Sequence, residues 1–258
     1  MKIATFNCNS VRARLPIIEK WLRDESPDIL ALQEIKVQTE EFPREPFENL
    51  GYICTVSGQK AHGGVATISK IKPKEIWAGF RDGDKSEESR ILACKFSRLF
   101  VVNTYCPQGQ DPESEVFQYK LKWFARLRKM FDEYYKKSGQ VLWLGDFNVA
   151  PEPIDVYDSK RIMGHVCHRP EVFKALSDVR EWGFIDLFRK FHPNEPGQYT
   201  YWDYRFPSLV RANRGWRVDH IYVSPPLSKK ATYCRIDTEP RHAEKPSDHT
   251  FMYADFDL

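Results

Sequence analysis

The stretch Val141-Leu142-Trp143-Leu144-Gly145-Asp146-Phe147-Asn148 decides the reading. Its apolar run predicts a buried strand, and that strand ends where a carboxylate and a carboxamide stand two residues apart. Alternation along a strand puts Asp146 and Asn148 on one face. Open α/β and sandwich sheets carry their sites at strand ends, and oxygen ligands beside hydrogen-bond donors suit phosphate esters.

The same pattern recurs along the chain. Asn7 follows the apolar residues 3–6, Glu34 follows 29–33, Tyr105 follows 101–104, and Ser247-Asp248-His249 precedes 250–256. One polar residue at a strand end reads as a turn or cap. Five such positions carrying carboxylates, carboxamides and an imidazole read as a site. Glu34 and Asp248 are hard oxygen ligands for Mg²⁺, with Mn²⁺ as a substitute. Asn7 and Asn148 donate hydrogen bonds without adding charge beside a phosphodiester. Asp146 suits the orientation and deprotonation of water, and His249 suits a phosphate contact or an acid.

Helical spacing of Leu15, Ile18, Trp21 and Leu22 predicts a helix over 11–25, and further long helices are expected at 114–137 and 169–182. Strands are expected at 2–7, 28–34, 64–69, 91–96, 100–105, 141–146, 199–204, 218–224 and 250–256. They outnumber the helices, and several follow one another directly, which excludes a simple alternating βαβ fold and favours two packed sheets with helices outside. Nothing resembles a linker, so the 258 residues read as a single domain, 1–258.

With 39 basic and 36 acidic residues the formal charge is +3, too small to signal a polyanionic partner by itself. Arg205, Arg211, Arg214 and Arg217 cluster without an acidic neighbour, as a solvated loop or a phosphate-tracking surface would. The six cysteines stand singly in apolar surroundings and read as reduced core residues. The first residues run directly into a strand pattern, with no signal peptide and no apolar run near 18 residues, so the cytoplasm is the expected compartment. Of the seven histidines only His249 has neighbours that suggest catalysis. His220 in Val218-Asp219-His220 imitates it, but on a strand Asp219 and His220 face opposite ways, so only one of them enters a site.

The strings ATFNCNSVR (4–12), PDILALQEIK (27–36), NTYCPQG (103–109), LGDFNVAP (144–151), GWRVDHIYVS (215–224) and SDH (247–249) resemble the exonuclease III family of AP endonucleases in order and spacing over essentially the whole chain. The resemblance implies a four-layered α/β sandwich, two mixed sheets face to face with helices outside. It implies Glu34 as principal metal ligand with Asp248 contributing and Asn7 close by. Tyr105 and Asn148 match phosphate contacts, Asp146 the residue that aligns water, His249 the catalytic histidine and Asp219 its orienting aspartate. Tyr201, Trp216 and Val218 fall where the family has an apolar wall for a base-free sugar, and Arg12, Lys36 and Gln108 fall near the DNA backbone. Tyr201 and Val218 replace the Phe and Leu of animal relatives.

The implied function is Mg²⁺-dependent hydrolysis of double-stranded DNA 5′ to abasic sites, with removal of blocked 3′ ends and some 3′–5′ exonuclease action, by a monomer and without a membrane. Arg211 and Arg214 are expected to add sequence-independent affinity. A phosphoinositide or sphingomyelin phosphodiesterase would share Glu34, Asp146, Asn148 and His249, yet should carry membrane-inserting loops or a basic amphipathic helix, and neither is visible. A catalytically dead DNA-binding protein has no need of acidic residues beside phosphates.

Overall fold

In the computed structural model, residues 1–84, 89–203 and 206–258 are described. Among the described residues twelve strands form two six-stranded sheets. They are β1 (Lys2–Asn7), β2 (Ile29–Gln33), β3 (Ile53–Ser57), β4 (Val65–Ser69), β5 (Glu75–Ala78), β6 (Ile91–Phe96), β7 (Leu99–Tyr105), β8 (Gln140–Asp146), β9 (Ile185–Asp186), β10 (Asp219–Val223), β11 (Ala231–Asp237) and β12 (Phe251–Phe256). The sheet orders are β11-β12-β1-β2-β4-β3 and β5-β6-β7-β8-β10-β9. Each sheet is mixed, with one parallel pair: β1 beside β2 in the first and β7 beside β8 in the second.

Those parallel pairs need crossovers, and helices supply them. Helix α1 (Val11–Glu25) joins β1 to β2, its first turn capped by the Ser10 hydroxyl, which accepts from the Ala13 amide. Helix α2 (Glu115–Tyr134) joins β7 to β8 and is capped in the same way by Ser114. Helix α3 (Pro170–Arg180) packs beside α2 against the second sheet. Trp21 of α1 stacks on Phe251, and Phe251 on Phe6, so α1 covers the outer face of the first sheet. The order of layers is therefore helix, sheet, sheet, helix, as the resemblance implied.

Alternation sorts the strand residues between an outer and an inner face. Ile3, Ile29, Ala31, Val101, Leu142, Leu144, Ile221, Met252 and Ala254 form the core between the sheets. Ala4, Phe6, Leu30 and Leu32 face α1, while Val102, Trp143 and Tyr222 face α2 and α3. The inner rows continue with period two to Asn7, Tyr105, Asp146 and Asp219. Part-way along this seam the core turns polar: Gln33 donates to Thr5 and Asn103, and Asn103 donates to the Ala66 carbonyl. Asn7, Tyr105, Asp146 and Asp219 are thus the terminal members of inner rows whose deepest residues are apolar.

One expected strand is absent. Residues 199–203 do not form a ladder, because the Thr200 hydroxyl accepts the Val218 and Asp219 amides and Tyr201 makes only isolated bridges, to Trp216 and to His249. The segment ties the two sheet edges together instead; Tyr204 and Arg205 lie outside the described residues. The half-exposed edge strands β3, β5 and β11 add to the strands expected from the sequence.

Candidate active site

Gly145 allows the site to form. It adopts φ 137°, and a Cβ there would lie 1.9 Å from the Thr104 carbonyl oxygen of neighbouring β7. No other residue fits, and the next residue, Asp146, closes both β8 and its pairing with Tyr105 and Asp219. Strand alternation does not unite Asp146 with Asn148, because β8 stops at Asp146 and Asn148 adopts a left-handed φ of 51°. A local turn does so instead. The Asn148 amide donates to Asp146 Oδ1 at 2.8 Å, and Asn148 Nδ2 donates to Asp146 Oδ2 at 3.0 Å and to the Cys106 carbonyl at 3.1 Å.

Across the seam, Asn7 Nδ2 donates at 2.9 Å both to Asp146 Oδ2 and to Glu34 Oε1, so one carboxamide joins the two sheets through two carboxylates. Asn7 therefore presents its nitrogen to the acids, and its oxygen accepts the Asn9 amide. Asn9 Nδ2 in turn donates to Asp248 Oδ1. Lys36 Nζ lies 3.0 Å from Glu34 Oε2. Asn9, Ser10, Glu34, Lys36 and Asn148 all have positive φ, a concentration of backbone strain that marks a site held by its surroundings.

His249 Nδ1 lies 2.7 Å from Asp219 Oδ2, and His249 Nε2 lies 3.8 Å from Asp146 Oδ2. Burial favours the neutral ring, but the Asp219 and Asp146 carboxylates outweigh it and raise the His249 pKa to about 10. Burial, followed by repulsion from Asp219 and Glu34, raises Asp146 to about 7 against the opposing pull of His249. Tyr105, buried beside Glu34 and Asp146, is held well above the usual phenol range and stays protonated.

Glu34, Tyr105, Asp146, Asn148 and His249 line one cleft of about 370 Å³, together with Gln108, Arg214, Tyr201, Trp216, Val218 and Asp248, while Asn7, Lys36 and Asp219 stand behind its wall. Val218 packs with Ala150 and Val156, and Tyr201 and Trp216 lie against them as an apolar wall. Tyr201 also contacts the His249 ring, at a centroid distance of 5.0 Å. Arg12 and Arg211 are not brought into the cleft; Arg12 lies on the surface against Glu41. Arg217, part of the arginine cluster in the sequence, is fully buried and pairs with Asp155 and Asp186. It anchors the Trp216 segment from behind and is not a surface cation.

Sequence reasoning missed Asn9, Lys120, His165 and Cys167. His165, set aside as structural, lines the cleft and meets Trp216 edge-on at 4.6 Å. All six cysteines are free and buried, as expected.

The donor set fits a hard divalent cation. Glu34 and Asp248 both face the cleft, Asp146 lies one carboxamide from Glu34, and the buried Asp219 Oδ1 has no hydrogen-bond partner. The buried trio Asp146, Asp219 and His249 also brings its ligand atoms within 4.8 Å of one another, although His249 Nδ1 is already engaged by Asp219.

The profile of the Endonuclease/Exonuclease/phosphatase family matches residues 4–249. The chain belongs to that family. It is 37% identical to an exodeoxyribonuclease III of Haemophilus influenzae over 99% of this chain and 100% of that one. An AP endonuclease from Archaeoglobus fulgidus shares its structure with a TM-score of 0.97 at 42% identity, covering 100% of both chains. A 3′ phosphatase from Neisseria, solved with a product DNA hairpin, matches with a TM-score of 0.96 at 35% identity over 100% of both chains. The family generally depends on a divalent metal. Among the described residues no helix is long and apolar enough to cross a membrane.

Proposed function

We propose that the protein is a DNA repair phosphodiesterase that hydrolyses double-stranded DNA on the 5′ side of abasic sites, leaving a 3′-hydroxyl and a 5′ deoxyribose phosphate. The same cleft would release blocked 3′ ends, and would trim 3′ termini as an exonuclease. One observation carries the reading: the acid, amide and imidazole set around Asp146 opens directly onto the apolar wall of Tyr201, Trp216 and Val218.

In this reading Asp146, its carboxylate made more basic by burial, takes a proton from the water that attacks phosphorus, while the bond from phosphorus to the 3′ oxygen breaks and that oxygen leaves, taking a proton from solvent to become the 3′-hydroxyl. Asn148 fixes the Asp146 carboxylate and contacts a phosphate oxygen. His249, kept as imidazolium by Asp219, donates to the phosphate, and the protonated Tyr105 hydroxyl does the same from the other sheet. Glu34 and Asp248 would hold Mg²⁺, with Mn²⁺ as a substitute, beside Asn7; the bound ion would neutralise phosphate charge. Gln108 on the cleft wall and Lys36, paired with Glu34 beside it, would contact the DNA backbone. Arg12, Arg211 and Arg214 serve phosphates along the duplex. A missing base lowers the cost of swinging a sugar out of the stack, and a wall of aromatic and aliphatic side chains receives it. The protein acts as a monomer.

The test uses labelled duplexes carrying an abasic analogue, a 3′-phosphate, a uracil or no lesion, each with Mg²⁺ and with EDTA. Cleavage is expected at the abasic analogue and the 3′-phosphate, only with metal. Equal cleavage of the intact duplex at internal positions, or full activity in EDTA, would overturn the reading. Trp216→Ala should weaken the preference for abasic over intact duplex more than it slows hydrolysis. Arg214→Ala should weaken both duplexes alike and flatten the salt dependence.

A further inference from the structure

Lys120 lies on the apolar stripe of α2, between Phe117 and the pair Trp123 and Phe124, and is fully buried. No other lysine is buried among the described residues, and there it pairs with no carboxylate. Its ammonium meets three carbonyl oxygens: Val166 at 2.7 Å, Asn148 at 2.8 Å and Gln108 at 3.0 Å. Each belongs to a different loop lining the cleft. One follows β7, one follows β8, and one runs beside His165 and Cys167.

Three oxygens converging on one point require three N–H donors from a single atom, which an ammonium supplies and an amide or a neutral amine does not. Burial lowers the Lys120 pKa, yet deprotonation would leave one of the three carbonyls unpaired, so the charge is retained by the hydrogen bonds. The packing around the stem is equally tight. Gly109 adopts φ 102°, and a Cβ there would meet Lys120, Phe117 and Val166 at 3.2–3.3 Å. The Ala150 amide donates to the Cys167 carbonyl, joining two of the three loops beside the lysine.

The consequence falls on Asn148. Its backbone is left-handed, a conformation that asparagine tolerates but does not prefer, and its carboxamide points at Asp146. The hydrogen bond from the buried ammonium to the Asn148 carbonyl opposes any rotation of that peptide away from this conformation. We infer that Lys120 is a positioning residue of the hydrolytic centre, fixing Asn148 and the facing cleft wall in register. This rests on the phosphodiesterase reading of the site.

The test compares Lys120→Met, which keeps the length and removes all three donors, with Lys120→Gln, which returns two of them. Leu176→Ala, a core truncation in α3, serves as a control for lost stability. Single-turnover rate and substrate dissociation constant are measured separately for each, on whichever phosphoester the wild type hydrolyses. Absence of abasic-site cleavage by the wild type would thus count against the functional reading alone. Lys120→Met should lower the rate at least about thirtyfold with binding changed less than about threefold, and Lys120→Gln should fall between it and the wild type. Leu176→Ala, though less stable, should keep the wild-type rate. If Lys120→Met does not fold, Lys120→Gln carries the test, with an expected loss of at least about fivefold in rate. A folded variant with the wild-type rate, a loss confined to binding, or an equal loss in Leu176→Ala would overturn the assignment.

Discussion

Asp219-His220 and Asp248-His249 are the same dipeptide placed at the same kind of position, the boundary of a strand on the open edge of the seam, yet their histidines have opposite electrostatics. His249 faces two carboxylates and is raised to about 10. His220 points to the other side of β10, where its Nε2 meets the Val149 carbonyl at 2.8 Å and its Nδ1 meets the Arg217 guanidinium at 3.0 Å. Burial, reinforced by Arg217, lowers it to about 4. The aspartates do not serve their own neighbours either, because Asp219 holds His249 while Asp248 accepts from Asn9. The side of the strand a residue faces, and not its sequence neighbour, fixes its chemistry.

The largest expected effect tests this directly. His249→Ala and Asp146→Asn should each lower the single-turnover rate by at least about a hundredfold, the scale on which a positioned acid or base acts. His220→Ala should change that rate by less than about threefold. A rate loss in His220→Ala equal to that in His249→Ala would mean that β10 is in the wrong register and that the two faces have been exchanged.

Next in size is the effect of Glu34, which belongs to the sheet that carries His249 and is reached from Asp146 through Asn7. Glu34→Ala should fold normally and lose most activity, and raising Mg²⁺ should restore part of it by mass action. The equivalent titration of His249→Ala should restore nothing. Recovery of both variants by Mg²⁺, followed in the same duplex assay, would show that the histidine acts mainly by holding the ion.

How much of this was legible in the sequence differs by residue. Asn7, Glu34, Tyr105, Asp146 and His249 could be located because each stands at the end of an apolar run. Period-two alternation places only Asn7, Tyr105 and Asp146 on inner rows, and it also decided between Asp219 and His220; Glu34 and His249 have the parity of the outer faces and reach the cleft through irregular backbone. Four layers came from the resemblance, since alternation says which residues are buried and not what covers them. The edge strands β5 and β11 escaped notice because half-exposed strands show no clean alternation. Lys120 left a readable mark, a lone lysine on the stripe that runs from Phe117 to Leu127, but which carbonyls it meets depends on three loops distant in sequence. Lys36 came from the resemblance alone, and Asn9 was not found, since both have left-handed backbones that a one-dimensional pattern does not show.

The smallest effect concerns the silent member of the comparison and appears in stability rather than in activity. His220 has a folded pKa of about 4, below the ordinary value near 6.5. The unfolded chain therefore binds a proton that the folded chain refuses, and the stability this confers is fully present above about pH 6.5 and is lost as the pH falls towards 4. The loss is at most about 3 kcal/mol, from the size of the shift. His165, also lowered to about 4 chiefly by burial, adds a parallel slope, whereas the Asp155 carboxylate, held near 2 by Arg217 and Arg189 despite its burial, gives way only at more acid pH. His220→Gln keeps an acceptor for Arg217 and a donor for Val149 without a titrating group. Urea unfolding between pH 7.5 and 4.5 should thus show a shallower decline for His220→Gln than for the wild type, with the two curves diverging below about pH 6.5. Parallel curves would mean that His220 gains its proton as readily in the folded protein as in the unfolded chain, and the contrast with His249 would then lie in geometry alone.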